Sequence, residues 1–204
     1  TEMWRTTLLN HTYTFESIKE ILAKANEEKS GDMLAGIGAR TAAERVAAKV
    51  VLADLTLEEL RKNPVVPEEE DEISRLSQEQ IDEEAYQKIK AMTVGEFREF
   101  LLSAETAEIE GIRDGLTPEM IAAAAKLMSN MDLVTTAAKI PVTATCNTTI
   151  GEKGVFAGRL QPNHARDDVE GIMASVYEGI SYGVGDAVIG LNPVADNVDT
   201  TVQL

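Results

Sequence analysis

Cysteine is nearly absent: Cys146 is alone among 204 residues, so no internal disulfide can form. That excludes a disulfide-stapled scaffold and makes a reducing, intracellular setting the expectation. Positive charge is also scarce. Nineteen Lys+Arg against 35 Asp+Glu leave a formal charge of −16, which disfavours non-specific binding to nucleic acid or anionic membrane, since both are polyanions. No run approaches the roughly 20 apolar residues of a membrane helix. The opening Thr1-Glu2-Met3-Trp4-Arg5 has no apolar core of a signal peptide, and Thr1 and Glu2 ahead of Met3 read as a cloning remnant. What remains is ordinary globular composition, 44% hydrophobic and 26% charged, sufficient for one large or two small domains with a real core.

The acidity is uneven. Residues 1–129 hold 15 basic and 26 acidic side chains but only six glycines, whereas residues 130–204 hold 4, 9 and eight. A charge-rich, Gly-poor segment followed by a charge-poor, Gly-rich one predicts two architectures, over 1–130 and 131–204. The first reads as helices. Thr41-x-x-Glu44, Thr56-x-x-Glu59, Ser77-x-x-Gln80 and Thr93-x-x-Glu96 fit the capping box, in which a hydroxyl and a carboxylate or amide satisfy the free N–H groups of a helix start. Thr117-Pro118 adds a start with Pro at the first helical position. Phe15, Ile18, Ile21, Leu22 and Ala25 recur on one helical face; Val46 and Val50, with Val51 and Leu52, form a broader one. Asn63-Pro64 stops a helix. The acids from Glu68 to Glu72 read as a solvated loop, since nothing there fixes a metal's coordination geometry. Met120–Met128 reads as an Ala-rich buried helix ending at Asn130.

The second segment changes period. Residues 155–160 read as a short strand ending at Pro162, and residues 167–181 as a helix with Asp167 and Asp168 at its positive end. Its apolar residues Val169, Ile172, Met173, Val176, Tyr177 and Ile180 recur helically. Gly183 and Gly185 make a turn, and Ala187–Leu191 is an apolar strand expected to be buried on both faces. Strand, helix and strand within about 40 residues predict a βαβ unit with parallel strands.

In such units ligands bind beyond the carboxyl ends of the strands. There the sequence places Arg159 and Gln161, two apart and so on one side of their strand, and Asn192 after the other. A cation with two amides suits a small polar ligand bearing hydroxyl or amino groups. The same groups could instead tie loops to backbone carbonyls, and position alone leaves both readings open. Other candidates are weaker. Gly183-x-Gly185 has Val188 in place of a third glycine and precedes a strand, so it reads as a turn, not a dinucleotide loop. His11 and His164 lack a ligand-spaced partner, Cys146 lacks an activating base, and the sequons at Asn10 and Asn147 have no use inside a cell.

Longer strings carry a family resemblance. Asn147-Thr-Thr-Ile-Gly151, Phe156-Ala-Gly-Arg-Leu-Gln-Pro-Asn163, Asp167-Asp168, Tyr177-Glu-Gly179, Gly183-Val-Gly-Asp-Ala-Val-Ile-Gly190 and Asn192-Pro-Val194 resemble the large subunit of ethanolamine ammonia-lyase. So do Leu22-Ala-Lys-Ala-Asn26, Ser30-Gly-Asp32, Glu44-Arg-Val-Ala-Ala-Lys49 and Lys126-Leu-Met-Ser-Asn130, in order along the whole length. The resemblance implies an α/β chain, a helical N-terminal region followed by the first βα units of a truncated TIM (β/α)8 barrel. It implies an adenosylcobalamin-dependent lyase that converts ethanolamine to acetaldehyde and ammonia by a radical mechanism, the difficult chemistry belonging to the cofactor. By the same resemblance Arg159, Gln161 and Asn192 match substrate-binding positions, Arg159 is the catalytic candidate, and Pro193 matches a position lining the cobalamin. The implied partner is a separate small subunit in a hetero-oligomer. The implied location is the cytoplasm, with packaging in a bacterial microcompartment left open. The chain corresponds to about the first half of that subunit. The acidic substrate ligands and remaining strands are expected beyond Leu204, and two strands cannot close a barrel. The 204 residues alone are therefore expected to be inactive. Rival readings are a non-enzymatic helical interaction module and another small-molecule barrel enzyme; the latter usually carries a Lys or a paired acid at a strand end, and neither predicted strand has one.

Overall fold

The computed structural model describes residues 3–146, 148–184, 188–195 and 197–204. Thr1, Glu2, Asn147, Gly185 and Ala187, each part of a reading above, lie outside the described residues. The chain divides into two compact units, Thr1–Ile140 and Pro141–Leu204.

The first unit opens with a hairpin where the sequence had predicted only helices. Strand β1 (Trp4–Leu8) pairs antiparallel with β2 (His11–Phe15). Leu9 and Asn10 turn the chain with φ of 52° and 62°, the left-handed pair that a two-residue hairpin demands. Ten helices follow: α1 (Ile18–Lys24), α2 (Ser30–Leu34), α3 (Ala42–Asp54), α4 (Leu57–Lys62), α5 (Glu72–Glu79), α6 (Glu83–Ile89), α7 (Val94–Ser103), α8 (Thr106–Arg113), α9 (Pro118–Lys126) and α10 (Asn130–Ala137). Their starts are set locally. Thr56 and Thr93 form reciprocal boxes with Glu59 and Glu96, and Thr117 caps α9 with Pro118 at its first position. Thr41 caps α3, but the Glu44 carboxylate turns to the backbone N–H of Arg40.

Three readings of helix limits need correction. Ser77 lies inside α5, whose cap is Asp71, so the acidic run supplies a helix start as well as a loop. The Ala-rich helix ends at Lys126. Ser129, boxed with Asp132, then caps α10, so Asn130 begins a helix instead of ending one. On α3 the buried face is Ala47, Ala48, Val51 and Leu52, while Val46 and Val50 are 45% and 42% exposed. Small side chains let α3 approach α1, β1 and α7 closely, which rotates the two valines outward.

The core gathers Phe15, Ile18 and Ile21 with Leu52, Leu57, Leu60, Ile89, Phe97 and Met120, each almost wholly buried. Helix α9 packs on α7 and α4. The end of α7 is closed by Lys139, whose ammonium donates to the carbonyls of Leu101, Leu102 and Ala104 at 2.7, 2.9 and 2.8 Å.

The second unit holds a small antiparallel pair, β3 (Ala144–Thr145) with β4 (Thr149–Ile150), and then β5 (Arg159–Leu160), α11 (Val169–Ser181), β6 (Val188–Ile189) and α12 (Val198–Gln203). Strands β5 and β6 are parallel, with Arg159 opposite Val188 and Leu160 opposite Ile189. The predicted βαβ unit is present. Its strands are shorter than predicted, however, and β6 is not buried on both faces: Val188 and Ile189 are 36% and 49% exposed. Among the described residues β5 is its only strand partner, so one edge and much of one face stay open. Helix α11 likewise buries Ile172 but exposes Tyr177 and Ile180, and Asp167 lies before it instead of within it. The described residues thus show a mixed helix-and-strand chain, in which two parallel strands are not a barrel.

Candidate active site

The site is built on the carboxyl ends of β5 and β6. The ladder runs on past β6, where the Gly190 N–H donates to the Leu160 carbonyl at 2.8 Å. Gly179 of α11 seats the helix on the pair. A Cβ there would stand 2.6 Å from Leu160 Cδ1, so any larger residue would have to push the Leu160 side chain aside. Both strands therefore end on one edge, beneath the stretches 161–168 and 190–195.

Arg159 lies on β5, and its guanidinium crosses the backbone of Gly190: a Cβ on Gly190 would be 2.5 Å from Nη2 and 2.9 Å from Nε. Gln161 follows directly, exposed on the same edge, before the buried Pro162. Asn192 is two residues beyond Gly190, with Pro193 next, both exposed. The Asn192 N–H donates to Asn163 Oδ1 at 2.9 Å, so the stretch just past Gln161 holds the stretch carrying Asn192. One cation and two carboxamides therefore occupy neighbouring positions on a single strand-end edge.

A second tie was not foreseen. Asp167, with φ of 53°, directs its carboxylate away from α11 to the N–H groups of Val194 (2.9 and 3.0 Å) and Ala195 (2.8 Å). Those two bonds, the Val194 one first, hold its carboxyl below the usual value against the opposing effect of burial. Asp168 instead caps α11 through the Gly171 N–H at 2.8 Å. The sequence signal for this tie is the adjacent acid pair Asp167-Asp168, which by itself suggests two contributions to one helix end. His164 is half-buried, and its Nδ1 accepts weakly from the Arg166 and Asp168 N–H groups at 3.3 and 3.4 Å. His11 stacks edge-on against Tyr13, and Cys146 is exposed and free. No cluster of His, Cys, Asp or Glu able to hold a metal occurs among the described residues.

What the geometry defines is a class of edge: the carboxyl ends of two parallel strands in an α/β unit, carrying one cation and two carboxamides. Comparison with known proteins narrows it. Residues 13–204 match the family described as ethanolamine ammonia lyase large subunit (EutB). The chain is 52% identical over 197 residues to the ethanolamine ammonia-lyase large subunit of Escherichia coli K12, covering 96% of this chain and 44% of that protein. It is 50% identical over 202 residues to the same subunit of Salmonella typhimurium LT2, covering 98% and 45%. The chain belongs to the ethanolamine ammonia-lyase large subunit family and spans less than half the length of these relatives. No described helix is long and apolar enough to cross a membrane.

Proposed function

We propose that the chain is the N-terminal part of a lyase that converts ethanolamine to acetaldehyde and ammonia, and that Arg159, Gln161 and Asn192 form one wall of its substrate site. The observation that carries this reading is that all three lie at the carboxyl edge of one parallel strand pair, within a chain half-identical to that enzyme's large subunit. Each carboxamide can donate and accept at once, so Gln161 and Asn192 together can fix a hydroxyl and an amino group. Arg159 presents a guanidinium, a group that does not serve as a base. Its role is to hold negative charge that develops on the substrate oxygen as the carbon–nitrogen bond breaks. A substrate ammonium beside that guanidinium requires carboxylates; Asp167 and Asp168 at this edge are committed to the N–H groups of Val194, Ala195 and Gly171, and the reading assigns the substrate's acidic ligands to the rest of the enzyme.

Adenosylcobalamin, the proposed cofactor, supplies radical chemistry at the hydroxyl-bearing carbon when bound. The residues past β6 would fit such a group: Pro193 and Val194 are exposed, uncharged and apolar, and would offer it an apolar contact. The same reading takes 1–130 as a helical N-terminal region and 131–204 as the opening of a TIM barrel, supported by the parallel crossover β5–α11–β6. It includes a separate small subunit as partner. Cytoplasmic residence, free or within a bacterial microcompartment, rests on the family resemblance alone.

The test is Arg159→Ala in the full-length large subunit assembled with its small subunit. Ethanolamine-dependent release of acetaldehyde and ammonia should fall by about 10²–10³-fold, the usual cost of losing one preorganised charge-stabilising group, with assembly intact. Undiminished turnover overturns the reading.

A further inference from the structure

Asp167 occupies a left-handed backbone conformation that is strained for a non-glycine residue, and Asp is among the few types that tolerate it. In return its carboxylate reaches across to the next strand's loop and accepts the N–H groups of both Val194 and Ala195. Asn163, four residues earlier on the same loop, accepts the N–H of Asn192. Two side chains of the loop after β5 thus grip the backbone of the loop after β6 on either side of Pro193. Neither Asn192 nor Pro193 has a buried side chain to hold it. Nor do these residues belong to a helix or strand. Their placement therefore depends on these three N–H groups.

We infer that Asn163 and Asp167 are positioning residues: they clasp the segment Asn192–Ala195 and thereby set where the Asn192 carboxamide meets substrate and where Pro193 meets the cofactor. The inference rests on the proposed function and adds to it two residues that touch neither ligand. Asp167 grips through an ionised carboxylate, which forms charge-assisted bonds of about twice the strength of neutral ones. Asn163 grips through a neutral amide oxygen, so an aspartate at 163 keeps the acceptor. The facing groups on this cluster are His164, whose charge when protonated favours the Asp167 carboxylate, and Asp168, which is committed to the end of α11.

The test uses the full-length large subunit assembled with its small subunit, in the variants Asn163→Ala, Asn163→Asp, Asp167→Ala and Asp167→Asn beside Arg159→Ala. Two quantities are read: the steady-state KM and kcat with ethanolamine, and the affinity for cobalamin followed by its visible absorption without turnover. Asn163→Ala should raise KM about tenfold, equivalent to one lost hydrogen bond, and Asp167→Ala, which loses two, at least as much, with a smaller change in kcat. They should also weaken cobalamin binding. Asn163→Asp should restore both to within about twofold, which a residue needed only for folding would not do. If Asp167→Ala fails to assemble, the Asn163 pair decides. Parent-like KM and cobalamin affinity in both alanine variants, with Arg159→Ala impaired as expected, overturn the clasp and leave the function standing. Full activity in Arg159→Ala overturns the function itself.

Discussion

The guanidinium of Arg159 lies across Gly190, on the neighbouring parallel strand's exit, in space that any other residue's Cβ would occupy. The obstructed atoms are the far end of a flexible side chain, so an alanine at 190 moves the guanidinium more readily than the backbone. Gly190→Ala in the assembled enzyme should therefore lower kcat/KM by about tenfold or more through misplacement of one group, while the thermal unfolding midpoint moves only a few degrees. Parent-like kinetics would show that the position of Arg159 over Gly190 has no part in the reaction.

Gly115 presents the opposite case. It sits against the backbone of α6, where an added Cβ would stand 2.7 Å from the carbonyl carbon of Ala85 and close to Tyr86 N. Backbone cannot swing aside as an arginine can. The junction is further fixed by the Asp82 N–H, which donates to the Asp114 carbonyl at 2.9 Å. Gly115→Ala should cost about 3 kcal/mol, in the range of overpacking in a close-packed interior. Urea denaturation of the 204-residue chain would show it, and a loss under about 0.5 kcal/mol would refute the backbone contact.

Acid should loosen the first unit through Lys24. Its ammonium bridges Glu20 at 2.7 Å and Glu44 at 2.8 Å. Burial pulls both carboxyls up, but this ammonium and the N–H groups of Glu16 and Arg40 outweigh it, leaving both below their ordinary value of 4.5. A carboxylate more acidic in the folded chain than in the unfolded one stabilises fully above the unfolded value, and loses that contribution as pH falls through the folded one. The unfolding midpoint should thus decline below about pH 4.5, and Glu44→Gln should flatten that decline. Superimposable acid limbs would exclude the triad as a source.

Local signals were the most legible in the sequence. Thr56, Thr93 and Thr117 were readable as caps because a cap depends on three or four consecutive residues. Ser77 misled because its motif is equally compatible with a helix interior once Asp71 has capped the chain earlier. The hairpin was hidden by its turn, Leu9-Asn10, where an Asn-Gly pair would have announced it. On α3 hydrophobicity alone favoured Val46 and Val50, whereas packing distance favoured Ala47 and Ala48. At the candidate site, the placement of Arg159, Gln161 and Asn192 at strand ends could be read from the sequence. The grip of Asn163 and Asp167 could not, because bonds from side chain to a distant backbone leave no periodicity.

Lys126 offers the clearest alkaline signature. Its half-buried ammonium donates to Asn26 Oδ1, and the Asn26 amide in turn approaches Asp32 at 3.5 Å. None of the ion pairs among the described residues includes Lys126, and burial pushes the amine below its ordinary 10.5 despite the charge of Asp32. For a lysine the sign is the reverse of the Glu20–Glu44 case. The charged form is disfavoured by folding, so the penalty is complete below the folded value and fades as pH rises toward 10.5. The parent chain should therefore gain stability relative to Lys126→Met as pH is raised from neutrality into that window. Methionine keeps the length and the packing of the stem while removing the charge. Urea midpoints of the two chains at several pH values would measure the difference, and parallel curves would mean that Lys126 keeps its full charge at no cost in its place beside Asn26.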